Sequence, residues 1–130
     1  MKKQAALSQK DIYFLPLGGS EQFGVNLNLY AHGGKWLAID CGIGFADHRF
    51  PGIDILLPDP AYIEERKDDL SGLIITHAHE DHIGAIAFLL QEVRVPIYAT
   101  KLTIGLIQSR LEEKPLHYTP QFIEVVPREV

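Results

Sequence analysis

The spacing of apolar residues changes along this chain, and the changes order its elements. Residues 11–17 are largely apolar and run into Gly18-Gly19-Ser20, as a strand entering a turn would. Over residues 25–31, Val25, Leu27 and Leu29 alternate with Asn26, Asn28 and Tyr30, which predicts a half-buried strand. His32-Gly33-Gly34 then turns the chain into residues 35–40, so the two runs predict a hairpin. Residues 41–59 are rich in Gly, Pro and Asp and predict a long ordered loop. Loops of that length in compact domains often carry function.

The second half is patterned differently. Residues 60–69 are polar around Glu64-Glu65-Arg66-Lys67 and predict a short helix. Residues 73–76 read as a buried strand, residues 81–91 as a helix and residues 96–100 as the next strand. Leu102, Ile104, Leu106, Ile107 and Leu111 predict a helix over residues 102–113, stopped by Pro115. Residues 122–126 read as a last strand, ending at Pro127. There are no repeats or low-complexity tracts. A β-rich start followed by β-α-β-α-β makes the fold class mixed α/β.

Length and charge narrow the picture. With 130 residues the chain is one domain or part of one, and 46% hydrophobic residues suffice for a core. No apolar run reaches the ~18 residues of a membrane span. The first seven residues hold two lysines but no apolar run suited to secretion. A single cysteine, Cys41, excludes an internal disulfide. These features favour a cytoplasmic protein with no membrane partner. A net charge of −5 argues against a generally basic nucleic-acid surface.

The chemistry concentrates in Thr76-His77-Ala78-His79-Glu80-Asp81-His82, just after the apolar Leu73-Ile74-Ile75. Its H-x-H-x-D-H spacing suits the ligands of two adjacent metal ions. Residues two apart in an extended segment point the same way, so His77 and His79 can face one ion. Asp81 and His82 lie where the chain turns into the predicted helix, which can aim them at a neighbouring site. Imidazole nitrogen and carboxylate oxygen are both zinc donors. An ordinary reading exists for each residue alone: Asp81 as a helix N-cap, each histidine as a rim residue. Two divalent cations would add +4, bringing −5 to −1, and would place positive charge where a phosphate would sit.

This motif resembles the signature of the metallo-β-lactamase superfamily. The flanking residues resemble its ribonuclease J family, a β-CASP RNA-processing branch. They are Pro16-Leu17-Gly18-Gly19-Ser20, the run from Gly24 to Tyr30, Ala38-Ile39-Asp40-Cys41-Gly42, Pro51-Gly52-Ile53-Asp54 with Pro58-Asp59, Thr76 to Ala85, and Val95 to Thr100. One departure is Gln22, where that family has glutamate. The resemblance implies a metallo-β-lactamase-like αββα sandwich, of which residues 1–130 would be the N-terminal part, with further metal ligands lying beyond them. It implies two Zn2+ per complete site, with Mn2+ or Mg2+ as alternatives. His77 and His79 would hold one ion and Asp81 and His82 the other. Water activated at the metal pair would be the nucleophile, so no Ser or Cys is needed. Asp81 and Asp40 are the catalytic candidates: Asp81 would orient that water, and Asp40 would orient a ligand histidine. The alternative for Asp40 is a turn-forming role before Gly42.

Other candidates are weaker. Gly18, Gly19 and Gly24 either let backbone approach the site or simply make turns. Asp54 and Asp59 suit Asx turns, Cys41 a small buried residue, and His32, His48 and His117 the surface. The function implied is RNA phosphodiester hydrolysis, both endonucleolytic and 5′-exonucleolytic, with RNA as substrate and homo-oligomers as the assembly. Two readings compete. One is a small-molecule metallo-hydrolase of thioesterase or lactonase type, which needs only H-x-H-x-D-H. The other is a chain inactive alone, because four ligands shared by two ions leave each short of three.

Overall fold

The computed structural model describes residues 7–128; the lysine-bearing start of the chain, residues 1–6, lies outside the described residues. Among the described residues eight strands and four α-helices follow one another as β1 (Tyr13–Gly18), β2 (Leu27–His32), β3 (Lys35–Ile39), β4 (Gly44–Phe45), β5 (Ile55–Leu56), α1 (Ala61–Glu64), β6 (Leu70–Ile74), α2 (Glu80–Ile83), α3 (Ile86–Glu92), β7 (Ile97–Ala99), α4 (Lys101–Glu113) and β8 (Phe122–Glu124), with a short 3-10 helix at Lys67–Asp69 between α1 and β6. Six strands form one sheet in the order β1-β2-β3-β6-β7-β8, and β4 pairs with β5 apart from it. β1, β2 and β3 are antiparallel neighbours, while β3, β6, β7 and β8 run parallel. Parallel neighbours need crossovers, and the helices supply them.

The alternation in β2 and β3 has its expected cause, one buried face. Leu27, Leu29, Ala38, Leu73 and Ile97 are buried there against Ile63 of α1, Ile83 of α2, Ile86 and Leu90 of α3 and Ile107 of α4. Each large side chain so buried contributes about 1.5–3 kcal/mol. The opposite face holds a row formed by Ile39, Ile74, Tyr98 and Ile123 in cross-strand register. These are half-buried, and Phe14 and Tyr30, with ring centroids 5.0 Å apart, are exposed beside them. The described helices thus cover one face only, giving a sheet with a single helical layer. None of them is long and apolar enough to cross a membrane.

Three expectations shift. The loop over residues 41–59 contains the β4–β5 ladder, whose two-residue strands are too short to show alternation. β6 ends at Ile74, so Thr76 lies beyond the strand rather than in it. The helix expected over residues 81–91 is two helices. Its ladder breaks because the Ala85 N–H bonds the Cys41 carbonyl at 3.0 Å, and the His82 carbonyl accepts the Cys41 N–H at 2.8 Å. A neighbouring segment takes the groups that would have continued the turn.

Candidate metal centre

Two segments, residues 25–26 and 40–43, make a backbone bed for residues 80–85. Asp40 leaves β3 in the left-handed region, with φ of 61°, and its N–H bonds the Ile74 carbonyl at 2.8 Å. Beyond it, Gly42 N–H donates to the Asn26 carbonyl at 2.9 Å and Ile43 N–H to the Glu80 carbonyl at 3.0 Å. Asn26 N–H reaches the Asp81 carbonyl at 3.2 Å, and Val25 N–H the Ile43 carbonyl at 2.9 Å. The fit is tight at one point: a Cβ on Gly42 would lie 1.6 Å from the Asp81 carbonyl oxygen. Glycine is the residue that lets the two chains touch.

Asp40 is buried, and its carboxylate gathers the side chains above this bed. It accepts the Thr76 N–H at 2.8 Å, lies within 3.0 Å of Thr76 Oγ1, and is 2.8 Å from His82 Nδ1. Among the described residues no buried side-chain nitrogen or oxygen lacks a partner. A carboxylate only accepts, so His82 donates from Nδ1; in the neutral imidazole Nε2 then carries the lone pair. Thr76 Oγ1 gives its one proton to Asp40 and so accepts from His77 Nδ1, 3.0 Å away. That leaves Nε2 of His77 with a lone pair as well. As neutral imidazoles, both rings would therefore have the tautomer of a metal ligand held by an outer hydrogen bond.

The cluster itself is close. The His77 ring centroid is 4.0 Å from that of His82 and 4.6 Å from that of His79. Asp81 Oδ2 is 3.3 Å from His82 Nε2. Two donors of one tetrahedral zinc, each bound at about 2.1 Å, sit about 3.4 Å apart, so this pair fits one edge of such a site. Among the described residues, however, no three His, Cys, Asp or Glu side chains are placed to hold an ion together. The donors fit a divalent metal in kind, and at Asp81–His82 in spacing, without completing a coordination shell. Cys41 adds nothing to them. Burial first, and the Asp40 charge second, push its thiol up to about 12, which keeps it from acting as a thiolate ligand or nucleophile.

The remaining candidates are dispersed. Asp81 is not an N-cap: His79 holds that position in α2, and its carbonyl accepts from His82 and Ile83. His32, His48 and His117 are exposed and apart from the cluster. Asp59 accepts the Ala61 N–H at 2.9 Å, the expected Asx turn, whereas Asp54 lends only its carbonyl, to Ala46. Gln22 is exposed. A Cβ on Gly18 would lie 2.1 Å from the Val25 carbonyl, and one on Gly24 2.9 Å from that of Ile43. These glycines thus serve the bed rather than the donors.

Two contributors escaped the sequence reading. Asn26, on the polar phase of its strand, looked solvent-facing, yet its side chain reaches Asp81. Arg110 of α4 forms an ion pair with Glu80. A groove of about 350 Å³ between the end of α4 and β8 shares no residue with the histidine cluster.

Comparison with known proteins agrees with the mixed α/β fold. The Metallo-beta-lactamase superfamily matches residues 21–128. Ribonuclease J of Mycolicibacterium smegmatis is 44% identical over 114 residues, covering 87% of this chain and 20% of the relative. Ribonuclease J of Sinorhizobium meliloti is 41% identical over 118 residues, 85% of this chain and 21% of the relative. The chain thus spans about a fifth of the length of the curated relatives it matches. Human tRNase Z, short form, superposes with a TM-score of 0.58 at 19% identity, over 90% of this chain and 45% of that one. The metallo-beta-lactamase fold protein YhfI from Bacillus subtilis gives 0.54 at 18% identity, over 91% and 47%. At such identities these two speak for the fold alone. With the family matched over most of its length, the chain belongs to the metallo-β-lactamase superfamily.

Proposed function

We propose that this chain is the N-terminal part of a ribonuclease J-like, metal-dependent RNA phosphodiester hydrolase. The observation that carries this reading is 44% identity to a ribonuclease J over 87% of the chain. The arrangement of the motif supports it. His77 and His79 would hold one ion, and Asp81 with His82 the other. Zn2+, or alternatively Mn2+ or Mg2+, would supply Lewis acidity and positive charge for hydrolysis. Asp81 would also orient the attacking water. Asp40 would act through His82, accepting the Nδ1–H hydrogen bond and so aiming Nε2 at the metal. An extended grip on RNA would come from outside these residues, since they carry a net charge of −5. Cutting within RNA and from its 5′ end, a cytoplasmic location and assembly into oligomers belong to the same reading.

A protein in which this chain is continued to the length of its relatives should, with Zn2+ or Mn2+, degrade a 5′-labelled RNA. Intact RNA together with hydrolysis of a lactone or thioester would instead make it a small-molecule hydrolase. The 130-residue chain alone should leave RNA intact, because no three described donors surround an ion. Turnover by the purified chain would overturn that expectation.

A further inference from the structure

Three successive carbonyls at the start of α2 are each taken by a backbone N–H from the bed. Ile43 donates to Glu80 at 3.0 Å, Asn26 to Asp81 at 3.2 Å and Cys41 to His82 at 2.8 Å. The peptide planes on both sides of Asp81 and of His82 are thereby fixed. Only side-chain torsions are left to aim the two donors, so whatever directs these N–H groups directs the donors too.

Two of the three follow a residue in the left-handed region. Asn26 comes after Val25, with φ of 54°, and Cys41 after Asp40, with φ of 61°. Among the described residues Glu21, with φ of 62°, is the only other non-glycine residue at positive φ. Aspartate enters that region readily, whereas a β-branched residue there is an outlier. The alternation over residues 25–31 predicts an extended Val25, yet β2 begins only at Leu27. Val25 is held where it is: its N–H bonds the Ile43 carbonyl at 2.9 Å, and its buried side chain lies against Gly44, where a Cβ would come within 2.6 Å of Val25 Cγ2. Returning it to negative φ would turn the chain that follows, and the Asn26 N–H with it. Strain of this kind persists where the surroundings over-determine it, and it clusters at functional sites.

We propose that Val25 is a positioning residue for the metal centre. Its left-handed turn, rather than the bulk of its side chain, aims the Asn26 N–H at the Asp81 carbonyl and fixes the backbone that carries Asp81. This rests on the metal-binding reading above, but part of its test needs no metal. A role in the turn and a role in packing predict opposite orders for two variants. If packing were the role, Val25→Ala, which keeps more of the side chain, would outdo Val25→Gly. If the turn is the role, glycine is the better substitute, because it takes positive φ without strain while alanine does not. In chelator, Val25→Gly should keep a folded-to-unfolded ratio about fivefold above that of Val25→Ala. Its Asn26 backbone amide should exchange more slowly than that of Val25→Ala. Val25→Ala should also bind zinc about 10-fold more weakly than Val25→Gly, the loss typical when the support of a metal ligand is removed.

Alanine proving the better substitute in stability or in Asn26 protection, or equal zinc affinity in the two variants, would overturn the proposal. Should neither variant fold, the unaltered protein decides by NMR. Val25 should show the strong HN–Hα cross-peak of a residue at positive φ, and the Asn26 amide should exchange slowly. A weak cross-peak or free exchange would overturn the idea. If the unaltered chain took up no zinc, the metal reading would fail, while the stability order and the Asn26 exchange would still decide the part played by Val25.

Discussion

The two halves of the H-x-H-x-D-H run are held in contrasting ways. Asp81 and His82 rest on the bed made by residues 25–26 and 40–43, with Asp40 gripping one side of His82 and Asn26 the other. His77 and His79 stand in the open beyond the end of β6: both are exposed, His77 is steadied by Thr76, and the His79 ring lies 4.6 Å from that of His77. The first pair is set before any ion arrives, while the second can still adjust. Pre-set donors cost little ordering on binding; adjustable ones can accept further ligands as a shell is completed.

Changes to the bed should cost most. Gly42→Ala pushes a methyl into the Asp81 carbonyl, backbone against backbone, and should cost about 4 kcal/mol or prevent folding. Near-native urea unfolding of that variant would show the bed to be soft and remove the contrast. Asp40→Ala follows, leaving the Thr76 N–H and the His82 Nδ1–H without their acceptor. A loss of about 3 kcal/mol is expected in chelator, with zinc affinity lower by about 10–100-fold.

Cys41 lies in the same bed and gives it a pH signature. Burial favours the neutral thiol, so the folded chain holds that proton more tightly than the unfolded one. The resulting stability is complete below the ordinary value of 9.0 and is lost as pH rises from there toward about 12. Unfolding free energy should fall by up to about 1.4 kcal/mol per pH unit in that window. Cys41→Ala should flatten this slope, and equal slopes in the two proteins would count against a buried thiol. The smallest effect belongs to the open half. His79→Ala should change metal-free stability by no more than about 0.5 kcal/mol, as exposed positions do, yet lower zinc uptake. A large loss of stability in chelator would mean that His79 is structural after all.

The same contrast explains what could be read from the sequence. Strand alternation was legible because it reflects a single buried face; the helix over residues 101–113 was legible through Ile104, Ile107 and Leu111, which pack on the core, although Leu102 and Leu106 of the same pattern are exposed. The histidine cluster was legible because its donors adjoin in sequence and it survives as a cluster, although His77 stands nearer to His82 than to His79. Asp40 entered through the family resemblance as a residue that would orient a ligand histidine, and the partners of its buried carboxylate are Thr76 and His82. The bed was not legible, since it is made by backbone groups from segments separate in sequence, as Asn26 and Gly42 or Cys41 and His82 are. Those bonds leave no trace in residue type except at Gly18, Gly24 and Gly42, which look like any turn or loop glycines. For the same reason the break at Gly84–Ala85 was hidden, and Asn26 reads in the sequence only as a polar position of an alternating strand.

The most direct test of the account is the zinc content of the purified chain, by elemental analysis, beside the His77→Ala/His79→Ala double variant. The account predicts bound zinc in the unaltered protein and its loss in the variant, with metal-free stability nearly unchanged. No zinc in the unaltered protein, or equal zinc in both, would contradict it.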